Sequence, residues 1–267
     1  MHAGLITVPA FAGRLDGVHH FFGTRHQPTD VHSEPSGRRR TRQFLSRMPR
    51  VVVSVTQVHG TDILIVDRPA EVGTGFSGGW DALITNQPRV LLTIRTADCV
   101  PVLFHDPVHK VVAAVHAGWR GTLAGIVPKT LSHLQQHFRS VVEEVRMVIG
   151  PSAGQCCYEV DEPVLGPLRS ECPYWRHVIR ERGTGRAMLD LRELVRRQAQ
   201  AFGVEGAHIW TIRLCTICHP ELFYSYRRDG VVKDTMVSGI MLTGTDASRR
   251  SFADTARWRF GRRPAAH

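Results

Sequence analysis

Six short apolar runs crowd into the stretch between residues 51 and 115, at 51–55, 63–66, 82–85, 90–94, 100–104 and 111–115. Each has the length of a strand and is rich in Val, Ile or Leu. Most are bounded by Gly, Pro, Asp or Asn, which interrupt regular structure. Several are apolar at successive positions rather than alternate ones. Such strands have no face to offer to water, so they predict a buried sheet.

Beyond residue 116 the pattern changes. Residues 122–138 place Leu123, Ile126, Val127, Thr130, Leu131 and Leu134 on one side of a helix. Pro128 is expected to bend or shorten it, because proline lacks a backbone N–H. A strand is expected at 145–149. The segment 189–202, LDLRELVRRQAQAF, reads as an amphipathic helix ending before Gly203. Late strands are expected at 207–214 and 236–242. Residues 26–43, rich in Pro, Ser, Gly and Arg, read as a long loop. The order of elements predicts an α+β fold, a mixed β-sheet core covered by helices in a single domain. That domain is assigned to residues 1–245, followed by a basic C-terminal tail at 246–267.

The chain has 267 residues, enough for a sizeable core. It has no apolar run of about 18 residues or more, so no membrane span is expected. The N-terminus shows no basic segment leading into a long apolar one, so no export signal is expected. Six cysteines without an export signal point to a reducing, cytoplasmic setting, where cysteines serve as metal ligands or catalytic groups more often than as disulfides. The net charge of +10 comes mainly from arginine dispersed along the chain. Nucleic-acid binding would be better served by aromatics interleaved with the basic residues, so a nucleic acid is not the expected partner. No GxGxxG directly follows a strand and no GxxxxGK[ST] is present, so nothing argues for a nucleotide-binding loop.

Three segments carry candidate chemistry: TQVHG at 56–60, TADC at 96–99 and VHAGWRG at 115–121. Each places an imidazole or thiol where a strand ends. Two histidines and one cysteine suit zinc, and three protein ligands leave a fourth position open, as in catalytic sites. A histidine after a strand is more commonly a hydrogen-bonded core or surface residue, and the spacing from His59 to Cys99 matches no short metal motif. The same residues also allow a metal-free cysteine hydrolase, with Cys99 as nucleophile and His59 or His116 as base. CTICH at 215–219 has the form of a haem attachment sequence, half a four-cysteine zinc site, or a redox dithiol. With no export signal and no second CxxC, the reading preferred is two ordinary cysteines near a strand end.

TQVHGTDI, DALIT, TADCVPVLFHDP, AAVHAGWRGT, CCYEV and SYRRDG occur here in one order. Together they resemble the laccase-domain, multicopper-oxidase-like family, also called polyphenol oxidase-like and peptidoglycan-editing factor, a group of purine nucleoside phosphorylases. The resemblance runs from about residue 20 to about residue 243. It implies zinc held by His59, Cys99 and His116. It also implies phosphorolysis of adenosine, inosine, guanosine and methylthioadenosine, with adenosine deamination beside it. The partners implied are purine nucleosides and inorganic phosphate. A phosphate site calls for arginine, whose fork matches phosphate oxygens. Arg227, Arg25 and Arg120, each inside a family motif, are the candidates. A deaminase would need an acid/base group, because the usual HxE with PCxxC is absent. Asp98 beside Cys99 is the candidate catalytic partner, although an aspartate there also suits a turn.

Three departures from the family pattern bear on the substrate pocket. The TR segment continues as TRHQPTD instead of a Gly-Gly-x-Ser turn. The GPCIG-like turn is replaced by GPSAGQCCYEV. VVKDTM follows SYRRDG in place of a Gly-Arg pair. A copper-dependent phenol oxidase is a further alternative, since two histidines and a cysteine also bind copper. No motif supplies the weak axial methionine usual in blue-copper sites. A basic nucleic-acid-binding protein is the non-enzymatic alternative.

Overall fold

The structure is a computed structural model that describes residues 4–12, 17–27, 51–68, 76 and 78–243. The expected loop at 26–43 lies outside the described residues from 28 onward, and the expected tail at 246–267 lies outside them entirely. Two large sheets form the body. The first has six strands in the order β13-β9-β7-β8-β5-β4. These are β4 (Ile63–Val66), β5 (Ala82–Thr85), β7 (Val100–Asp106), β8 (Val111–Ala117), β9 (Arg146–Ile149) and β13 (Ile209–Thr211). The pairs β4–β5 and β9–β13 are parallel and the others antiparallel, so the sheet is mixed as expected. The second sheet has the order β1-β2-β14-β6-β3. Its strands are β1 (Leu5–Ile6), β2 (Val18–Gly23), β3 (Val51–Val53), β6 (Val90–Thr96) and β14 (Met236–Leu242). A small third sheet joins β10 (Glu159–Val160), β11 (Ile179–Glu181) and β12 (Ala187–Leu189).

The layering explains the strands that are apolar at every position. Side chains alternate across a strand. In β8, Val111, Ala113, Val115 and Ala117 face a core shared with the helices, alongside Ile126, Leu131, Leu194 and Val195. Val112 and Ala114 face the opposite way and pack with Leu83, Leu103, Phe22, Leu92 and Ile240 between the two large sheets. One face is thus covered by helices and the other by a second sheet. The sequence pattern demanded burial of both faces but did not reveal that two sheets supply it.

The helices follow their punctuation. The segment expected as one helix is two, at Trp119–Leu123 and Ile126–Phe138. The break falls at Ala124 and Gly125, the latter at φ +83°. Pro128 therefore sits in the first turn, where its missing N–H breaks no helical bond, and it does not bend the helix. Leu191–Phe202 starts at Asp190, whose carboxylate accepts the Glu193 N–H at 3.0 Å, and it stops before Gly203. The strand β2, VHHFFG, carried two histidines that masked its apolar pattern. His20 is buried, its Nε2 accepts the Val8 N–H at 2.9 Å, and burial followed by neighbouring His19 pushes its pKa down to about 4. No described helix is long and apolar enough to cross a membrane.

Leu103 is fully buried between the two large sheets. Leu103→Ala should lower the unfolding free energy by about 2–5 kcal/mol in a denaturant titration. A loss under about 1 kcal/mol, typical of a surface site, would contradict this layering.

Candidate metal centre and its cleft

His59, Cys99 and His116 reach one point from three separate backbone contexts. His59 lies in the loop before β4 and has a left-handed backbone, with φ +60°. Cys99 ends the tight turn between β6 and β7. His116 is the penultimate residue of β8, opposite Pro101 of β7, which brings the start of one strand beside the end of the other. The three ligand atoms lie within 4.8 Å of one another, and the two imidazole rings meet edge to face with centroids 4.8 Å apart. The structure therefore brings the three sequence motifs together at one point.

Asp81, one residue before β5, organises this convergence, and sequence reasoning did not single it out. Its carboxylate is fully buried. One oxygen accepts the His59 N–H at 3.0 Å and the other accepts the Gly60 N–H at 2.7 Å. The Val58 N–H adds a longer bond of 3.3 Å. The His116 Nδ1 lies 2.7 Å from Asp81 Oδ1. That contact uses Nδ1 and leaves Nε2 to face Cys99 and His59, the usual arrangement of a ligating histidine held by a carboxylate. The Asp81 pKa is lowered, because these bonds outweigh the burial that opposes its charge. The only hint in the sequence was the D of DALIT.

The electrostatics suit a cation. Burial opposes charge on His116, yet hydrogen bonds with Asp81 and Cys99 raise its pKa to about 9. Burial raises the Cys99 thiol, yet hydrogen bonds with His116 and His59 bring it down to about 7. A side-chain carbon at Gly118 would lie 3.0 Å from His59 Cδ2 and 3.2 Å from Cys99 Sγ. Glycine at that position keeps the space between the donors open. The donor set, its carboxylate support and this clearance fit a soft or borderline metal.

The three donors line a cleft of about 400 Å³, together with Trp119, Tyr158, Arg95, Arg120 and Arg227 among others. Two of the three expected arginines therefore reach it. Arg120 lies over the Trp119 ring at 4.2 Å. Arg227 donates to the Glu159 carbonyl at 2.7 Å and lies 5.0 Å from the Tyr158 ring centre. Arg25 is placed elsewhere: its guanidinium donates to the Pro220 carbonyl and stacks on Tyr224, and it does not line the cleft. Arg95, on β6, is a cation of the cleft that no motif announced. Tyr158 follows the Cys156–Cys157 pair, and burial pushes its phenol up to about 12, so it keeps its proton at neutral pH.

Asp98 borders the cleft, but its carboxylate is already engaged. Oδ1 accepts the Thr216 hydroxyl at 2.6 Å, and Oδ2 accepts the Ser225 hydroxyl at 3.0 Å and the Arg227 N–H at 2.7 Å. Its backbone is left-handed, with φ +93°. The geometry makes it an anchor for the turn that carries Cys99.

A family model described as multi-copper polyphenol oxidoreductase laccase matches residues 19–243. A purine nucleoside phosphorylase of Bacteroides thetaiotaomicron is 38% identical over 206 residues, covering 74% of this chain and 76% of that protein. A protein named adenosine deaminase RL5, from an unknown prokaryotic organism, is 34% identical over 195 residues, 71% of this chain and 74% of its own. Among solved structures, YlmD from Geobacillus stearothermophilus superposes with a TM-score of 0.79 at 32% identity, covering 91% of this chain and 98% of that one.

Asp81→Asn keeps the shape of the side chain and removes its charge. It should weaken zinc affinity about 10- to 100-fold, measured by competition with a chelating dye. Unchanged affinity would contradict the role given to Asp81.

Proposed function

The chain belongs to the multi-copper polyphenol oxidoreductase laccase family, and we propose that within it this protein is a zinc-dependent purine nucleoside phosphorylase. The observation that carries this reading is that a His–Cys–His donor set and the arginines Arg120 and Arg227 line one cleft. Relatives named purine nucleoside phosphorylase support it. The substrates proposed are adenosine, inosine, guanosine and methylthioadenosine with inorganic phosphate. Six cysteines with no disulfide among them support the cytoplasm as the proposed setting.

In phosphorolysis a phosphate oxygen bonds to the ribose C1′ while the bond from C1′ to the purine nitrogen breaks. The base leaves with the electron pair and takes up a proton. Arg120 and Arg227 are assigned to the phosphate, which their planar forks can grip through charge-assisted hydrogen bonds. Tyr158 and Trp119 line the cleft in which a purine would lie, and the Tyr158 phenol remains a hydrogen-bond donor. Asp98 acts as a positioning residue, since its oxygens hold the backbone of Arg227 and the hydroxyls of Thr216 and Ser225. His59, Cys99 and His116 would hold the metal, which would supply Lewis-acid polarisation when bound. Zinc is the metal proposed, because two imidazoles and a thiolate that leave a fourth position open suit it.

Two other readings have particular support. The relative named adenosine deaminase favours a deaminase activity in the same cleft. The chain of contacts from Asp81 through His116 to Cys99 has the layout of a Cys–His–Asp triad, which favours a metal-free cysteine hydrolase.

Inosine cleavage should require added phosphate and yield ribose 1-phosphate and hypoxanthine. Arg227→Lys should raise the phosphate KM or lower kcat by about tenfold or more, near 1.4 kcal/mol of barrier, with zinc content unchanged. Free ribose appearing at the same rate with and without phosphate would overturn the phosphorylase reading. Ammonia released from adenosine without phosphate would add the deaminase activity.

A further inference from the structure

Four cysteines gather outside the cleft described above. Cys156 and Cys157 lie in the turn after β9, and Cys215 and Cys218 in the turns after β13. The structure assigns to Cys156, Cys157, Cys215 and Cys218 a second metal site, a closed tetrathiolate site for zinc.

The sulfur positions carry this assignment. All four lie within 4.8 Å of one another. Cys218 Sγ is 3.1 Å from Cys157 Sγ and 3.3 Å from Cys156 Sγ. Four sulfurs bound to zinc at about 2.3 Å define a tetrahedron with edges of about 3.8 Å; these two pairs are a few tenths of an ångström closer than that, and no pair is farther apart than 4.8 Å. A disulfide would bring one pair to about 2.0 Å, and all six cysteines of the chain are free thiols. The fifth and sixth, Cys99 and Cys172, are not part of the group.

The backbone brings the sulfurs together without help from them. Ser152 and Cys215 form a parallel bridge, in which the Thr216 N–H donates to the Ser152 carbonyl at 3.0 Å. The N–H groups of Cys157 and Tyr158 both donate to the Gly154 carbonyl at 2.9 Å, closing the turn that aims the adjacent pair. Gly154 passes so near that a side-chain carbon there would lie 3.1 Å from Cys215 Cβ and 3.2 Å from Cys156 Sγ. Its N–H donates to Cys215 Sγ at 3.2 Å, a bond that favours sulfur in its thiolate form. The sequence motif CTIC lacked a second CxxC, but the fold supplies its missing half as the adjacent pair of CCYEV. This replaces the expectation that Cys215 and Cys218 are ordinary cysteines.

The chemistry is simple exchange. One Zn²⁺ displaces four thiol protons, which pass to solvent, and no electron moves. Four protein ligands complete the tetrahedron, so the site is structural, in contrast to the three-donor set in the cleft. What it ties together is specific. The Cys156–Cys157 turn leads directly into Tyr158, which lines the cleft. Thr216, between the other two cysteines, donates to Asp98 at 2.6 Å, while the Ala153 N–H donates to the Asp98 carbonyl at 2.9 Å. The zinc would thus fasten two distant segments that both brace the turn carrying Cys99.

The test uses full-length protein purified under reducing conditions, supplied with zinc and freed of excess. Wild type should hold two zinc ions per chain. Cys99→Ala should keep one, and its zinc X-ray absorption should show four sulfur neighbours at about 2.3 Å. Cys218→Ser should also keep one, with nitrogen among its neighbours, and should melt at a lower temperature. Should Cys218→Ser not fold, the Cys99→Ala protein alone decides. Zinc-free Cys99→Ala, or zinc there with nitrogen or oxygen neighbours, would overturn the assignment. So would a disulfide between any of the four cysteines in the native wild type, found by mass spectrometry without reduction.

Discussion

The site depends on one buried carboxylate. Asp81 accepts three consecutive backbone N–H groups from residues 58–60 and bonds to the imidazole of His116. Its own carbonyl accepts the His116 N–H at 2.7 Å, and its own N–H donates to the Asp62 carbonyl at 3.0 Å. One residue therefore sets the loop that carries His59, the ring orientation of His116 and the pairing of β5 with β8. A carboxylate in the interior without such partners would be strongly destabilising. The bonds that let Asp81 stay charged are the same ones that place His59 and His116.

Asp98 does for the far wall of the cleft what Asp81 does for the near one. It holds Thr216, Ser225 and Arg227 against the turn that ends in Cys99. Cys99 and Arg227 therefore share one anchor. This coupling brings Arg227 to the cleft that Cys99 lines, although the two lie more than a hundred positions apart in sequence.

Much of this was legible in the sequence, and the limits have physical causes. Strands such as Ile63–Val66, Ala82–Thr85 and Met236–Leu242 could be read to the residue, because residues on both faces pack against a core and keep the run largely apolar. That His59, Cys99 and His116 meet at one point was legible only through the family motifs around them, since a histidine after a strand is ordinary by itself. Asp81 could not, since an aspartate before a strand is an ordinary turn residue until its partners are seen. The two-sheet layering was hidden because the pairing of β2 with β14 joins opposite ends of the chain. Arg25 sits in a motif yet points away from the cleft, because a motif fixes local backbone and not the direction of a long flexible side chain. The cysteine cluster was hidden for a related reason: its two halves meet only through the bridge between Ser152 and Cys215.

The account stands or falls on whether the donors His59, Cys99 and His116 work by holding a metal or by Cys99 attacking substrate itself. The direct measurement strips the protein of metal, verifies the loss by elemental analysis, and follows inosine phosphorolysis as zinc is returned. The account predicts no turnover in the stripped protein and recovery in proportion to zinc, in a form that Cys99→Ala cannot recover. Full turnover by verified metal-free protein would contradict it and assign Cys99 as a nucleophile.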